Sequence, residues 1–139
     1  MWCFMRHLPE SKLREFEKEF QFVFHPDLRF FLLLYNGGST SAVIPTVEKR
    51  GERTIQHNRI FSRLFDFSTK VGVRSAWALN QRLRPILGDH LVVIGEDMNH
   101  NYICVSNREY KQTVCILSHV SGKLEESVMD IPMLIRALN

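Results

Sequence analysis

The chain has 139 residues, 45% of them apolar and 24% charged, with a net charge of +3. This excludes a disordered, collagenous or disulfide-stapled chain and supplies enough apolar surface for one core, so a single domain over 1–139 is expected. No apolar run nears the ~20 residues of a membrane span, and MWCFMRHLPESK holds no signal-peptide hydrophobic region. A cytoplasmic chain with no membrane role is the expectation.

In chain order, Pro9 to Phe20 reads as a first helix, with Leu13, Phe16 and Phe20 on one stripe. Gln21 to His25 is a connector. Pro26 suits a first helical position, and Asp27 favours the positive end of the helix dipole. Leu28, Phe31, Leu32 and Tyr35 then recur at helical spacing; Phe30, Leu33 and Leu34 widen that face and predict a helix covered on most sides. Asn36-Gly37-Gly38 ends it, since Asn and Gly accept the left-handed conformation. The two helices form an αα-hairpin.

Ser39 to Ile44 predicts a short strand, and Pro45 with the run Glu48 to Arg53 a surface loop. Over 55–84, Ile60, Leu64 and Phe67, and again Phe61 and Phe65, sit at helical spacing. Ser75 caps a helix carrying Ala76, Leu79 and Leu83, which Pro85 should stop. Leu91 to Ile94 is a buried strand, followed by a turn over Gly95 to Asn99. Asn101–Ser106 and Gln112–Ser118 form a hairpin. If paired positions sum to 219, Ile103 faces Ile116 and Val105 faces Val114 on one side, while Tyr102 faces Leu117 and Cys104 faces Cys115 on the other. Cys104 and Cys115 are then either a disulfide or, as a reducing cytosol favours, two buried thiols. Lys123 to Val128 reads as an edge strand. Asp130 caps a last helix with Ile131, Leu134, Ile135 and Leu138 on one face. The strands run together, so the fold class is α+β with a mainly antiparallel sheet and helices packed on it.

The chain contains no GxSxG, HExxH, GxxxxGK[ST] or GxGxxG. Glu96 and Asp97 are adjacent and point to opposite faces of a strand, a poor acid/base pair. The three cysteines and six histidines show no metal-ligand spacing. No enzyme activity and no cofactor is expected. Charge is uneven. Residues 48–84 carry nine basic and three acidic groups, a net of +6, and residues 85–139 four basic and seven acidic, a net of −3. Two partner-binding faces compete: acidic (Asp89, Glu96, Asp97, Glu109, Glu125, Glu126) and basic (Lys49, Arg50, Arg53, Arg59, Arg63). A nucleic-acid role for the basic segment ranks below a protein partner, because its aromatics lie at core-like spacing.

Taken together, the order of segments resembles the SUKH superfamily of fungal cell-wall synthesis regulators and bacterial toxin-immunity proteins. Glu17 matches the glutamate of its first helix. Phe24-His25-Pro26-Asp27, Leu28 to Tyr35 and Asn36-Gly37-Gly38 match its next helix and glycine stop. Arg84-Pro85, Leu91 to Ile94, Gly95 and Asp97 match its proline, strand and glycine-x-aspartate. Asn101 to Ser106, Thr113 to His119 and Ile131 to Leu138 match the remainder. Pro26, Asn36, Gly37, Gly38, Gly95 and Asn101 are then fold-determining positions. His25 stands where leucine is common, and His100 where glycine is common. The resemblance implies a non-catalytic protein that binds and neutralises a cognate toxin domain, as a monomer or weak homodimer. An intracellular scaffold is the alternative.

Overall fold

The computed structural model describes residues 6–107 and 112–139. Ten elements follow in order: α1 Glu10–Phe20, α2 Pro26–Tyr35, β1 Val43–Arg50, β2 Arg53–Leu64, α3 Ala76–Leu87, β3 Leu91–Asp97, β4 Tyr102–Ser106, β5 Thr113–Leu117, β6 Leu124–Asp130 and α4 Ile131–Leu138. The class is α+β. All six strands pair antiparallel, and β6 returns to β1 to close a barrel.

The αα-hairpin forms as its local signals predict. Gln21 closes α1 in the left-handed region (φ 50), and the His25 ring accepts from the Asp27 N–H at 3.1 Å. Gly37 (φ 73) supplies the left-handed stop after α2. The expectation that α2 is covered on most sides fails: Phe30 is 65% exposed, and only Leu28, Phe31 and Leu32 are buried. Phe16 lies at the centre of the aromatic core. Its ring centroid is 4.5 Å from that of Phe20, 4.8 Å from Phe67 and 5.5 Å from Trp77. Ser75 and Asp130 cap α3 and α4 through the N–H groups of Ala78 and Met133.

The β4–β5 register is the predicted one, with Ile103 facing Ile116 and Cys104 facing Cys115. Both cysteines are buried free thiols. Contact with Cys115, and burial, push the Cys104 thiol up. Five other expectations are corrected. The loop assigned after Ile44 is β1, continued by a tight turn into β2. The helical spacing of Ile60, Leu64 and Phe67 is a coincidence within and just beyond a twelve-residue strand. Pro85 does not stop α3, which runs to Leu87. The Gln81 carbonyl that loses a donor to proline sits on an exposed residue, where water can replace the bond. The turn assigned to 95–99 begins only after Asp97, and β6 is no edge strand, since β5 and β1 flank it.

Two buried amides replace missing strand partners. β2 leaves β3 after Leu64, and there the Asn80 side chain pairs with the backbone of Val93. It accepts from Val93 N–H at 2.8 Å and donates to Val93 C=O at 2.9 Å. Gln112 treats the helix connector similarly, donating to Val23 C=O and accepting from His25 N–H at 2.8 Å. Such pairs satisfy backbone groups that would otherwise be costly to bury.

Candidate functional site

Alternation along the strands separates inside from outside. Val43, Gln56, Asn58 and Val128 are exposed and mark the outer face. Their strand neighbours of opposite parity therefore point inward. Most of the inner face is apolar and closed, with Ile44, Phe61, Ile103, Val105, Val114 and Ile116 at 1% exposure or less. Toward the β1–β2 turn it becomes polar. Thr46 and Glu48 of β1, His57 and Arg59 of β2 and Glu125 of β6 share this end. It opens into a cavity of about 980 Å3 rimmed by Lys49, Arg50, Ser121, Lys123 and Glu126.

Two hydrogen-bonded clusters fill the polar mouth. Arg59 makes two hydrogen bonds to the Glu125 carboxylate, from Nε at 3.0 Å and from Nη2. Thr46 Oγ1 donates to the same carboxylate at 2.9 Å. Burial raises the Glu125 pKa, but the Arg59 and Thr46 hydrogen bonds outweigh it and hold the carboxyl below the usual glutamate range. Arg59 is raised in turn by its bond to Glu125. Glu48 accepts from Arg50 Nε at 3.0 Å and lies 2.9 Å from His57 Nε2; both contacts lower its pKa. Glu48, His57 and Glu125 bring potential ligand atoms within 4.8 Å of one another. Arg50 and Arg59 already neutralise the two carboxylates, so a metal cation there would have to displace a guanidinium.

The two residue sets that compete in the sequence meet in space. Arg59 of the basic set is the partner of Glu125 of the acidic set, 66 residues away. Arg63 and Glu96 are register neighbours on β2 and β3. Asp97 is 1% exposed and serves the turn, accepting from Asn99 N–H, Asn101 N–H and Asn101 Nδ2. Asp89 and Glu126 are exposed, and Glu109 lies outside the described residues. Lys49, Arg50 and Arg53 are exposed around the β1–β2 turn. Sequence reasoning missed Thr46, His57 and Lys123 at the mouth. Two lie on strands it did not recognise, and nothing in their spacing signals convergence.

Residues 7–130 match the SMI1 / KNR4 family (SUKH-1). The chain belongs to that family. No curated protein and no solved structure matches it. The positions that carry the SUKH likeness have clear structural tasks here. Glu17, 8% exposed, accepts from Phe24 N–H at 3.0 Å and from the Arg29 guanidinium, tying α1 to α2. Asn36 donates to Asp66 at 2.9 Å and accepts from Phe67 N–H at 2.8 Å. A Cβ on Gly95 would stand 2.4 Å from the Arg63 carbonyl and 3.0 Å from the Phe61 ring. Asn101 bridges Asp97 and the His119 backbone N–H. His100 takes φ 64, in the left-handed region that glycine enters without steric cost. No helix among the described residues is long and apolar enough to cross a membrane.

Proposed function

We propose that this SUKH-family chain is an immunity-type protein that binds and neutralises a cognate bacterial toxin domain by direct protein–protein contact. It acts without catalysis, as one unit over 1–139, in the cytoplasm and as a monomer or weak homodimer. Family membership across most of the chain carries the reading. The barrel mouth supports it. Its inward carboxylates are bound by arginines, and charged side chains ring the rim. The exposed Lys49, Arg50, Arg53 and Lys123, beside Glu126, form a mixed, mainly basic contact face suited to an acidic patch on the partner. The basic face is thereby preferred to an acidic one, since Asp97 and Glu125 are committed to internal bonds. Nucleic acid is a weaker candidate, because three acidic groups (Glu48, Glu125, Glu126) line the same cavity.

The test is co-expression with the products of the adjacent genes, followed by pull-down and a growth assay. Capture of a domain that arrests growth unless this chain is present is the expected result. Capture of a harmless partner would replace immunity with the scaffold reading. Salt-sensitive retention of oligonucleotides without any protein partner would replace both.

A further inference from the structure

Between β2 and α3 the chain displays an ordered loop, Thr69 to Arg74, that holds two apolar side chains away from the core. Val71 is 75% exposed and Val73 93% exposed. The backbone beneath them is fixed at both levels. At the base, Asp66 N–H donates to Arg74 C=O at 2.8 Å and Ala76 N–H to Asp66 C=O at 2.8 Å. The Asp66 carboxylate is itself held by Asn36 and Ser68. Nearer the tip, Ser75 Oγ donates to Thr69 C=O at 2.6 Å and Ser75 N–H to Gly72 C=O at 3.2 Å. Thr69 Oγ1 contacts the N–H and C=O of Val71. Lys70 Nζ folds over the Trp77 ring at 4.7 Å, pinning one flank to the core. Gly72 (φ 109) makes the tip turn.

An ordered segment that presents two valines to water has already met most of the entropic cost of being ordered, which is the condition under which small apolar contacts yield affinity. The flanking charges restrict the partner. Lys70 and Arg74 are both cationic, and the nearest carboxylate in sequence, Asp66, is turned inward to Asn36 and Ser68. Two valines and two cations offer too little for stable attachment to an anionic bilayer. We propose that the 69–74 loop is a preformed docking element that places Val71 and Val73 in an apolar pocket of a protein partner bordered by carboxylates. This rests on the reading of the chain as a protein-binding module and names a second contact, apart from the barrel rim.

The test places a photoreactive benzophenone amino acid at Val73, with the exposed Glu15 of α1 as the control position, in cells carrying this chain and its neighbouring genes. The expected result is a light-dependent protein adduct at the loop and none at α1. The adduct should map to a partner segment combining apolar residues with Asp or Glu, and Arg74→Glu should suppress it. With the mapped partner purified, Val71→Ser combined with Val73→Ser should weaken binding about tenfold or more, with an unchanged unfolding midpoint. No adduct, an adduct with lipid alone, or wild-type affinity of the double variant would overturn the proposal. Growth rescue without a loop adduct would leave immunity standing and remove the loop. An adduct with a partner that is not toxic would do the reverse.

Discussion

Arg59→Met isolates what the mouth network does. Methionine keeps the apolar stem on the inner face and deletes both guanidinium bonds to Glu125. That carboxylate is 13% exposed at its side chain and keeps only Thr46. A hydrogen bond to a charged group contributes about 1.5–3 kcal/mol, and partial rehydration of Glu125 at the open mouth reduces the loss of two to a net of about 2 kcal/mol. With a urea slope of about 2 kcal/mol per molar, the unfolding midpoint at neutral pH should fall by about 1 M. The pH dependence follows from the lowered Glu125 pKa. Its stabilisation is fully present above the ordinary glutamate value of about 4.3 and is lost as pH falls through the lower native value. Wild type and variant should therefore converge in acid. Glu125→Gln should be milder, since an amide oxygen still accepts from Arg59. A neutral-pH shift below about 0.3 M, or an undiminished difference in acid, would refute the claim that the pair is a structural tie.

Three further outcomes follow from the geometry. Asn80→Leu strands the N–H and C=O of Val93 and should cost about 3 kcal/mol in chemical denaturation; a loss under about 1 kcal/mol would mean that β3 finds another partner. Gly95→Ala sets a methyl against the Arg63 carbonyl, and should destabilise by about 3 kcal/mol or leave the protein insoluble; normal expression and stability would contradict the close approach. His100→Gly should stabilise by about 0.5–1 kcal/mol, by relieving a left-handed residue at some cost in unfolded-chain entropy, and a lower melting temperature would count against it.

The parts legible in the sequence are those set by local chemistry. The helix stripes, the Ser75 and Asp130 caps and the glycine stop each act within a turn or two of chain. The β4–β5 register was readable because it sets Ile103 opposite Ile116 and Val105 opposite Val114 on a common apolar face. The β1–β2 hairpin was not, because the barrel interior is polar at its mouth. Inward positions at Thr46, Glu48, His57 and Arg59 break the apolar alternation that announces a strand. Their burial is tolerated through hydrogen-bond partners, most of them on other strands. Barrel closure was hidden for a related reason, since the β1–β6 pairing spans most of the chain and leaves no local mark. Charge counting could not show that Arg59 and Glu125 neutralise each other, or that Asp97 is spent on its own turn.

The most direct test of the account is a titration of the captured toxin domain's activity with this chain at rising concentration. Stoichiometric binding predicts a linear loss of activity that is complete at equimolar chain, with both proteins recovered chemically unchanged from the complex. Inactivation by far less than an equimolar amount, leaving a modified toxin behind, would identify an enzyme and contradict the account.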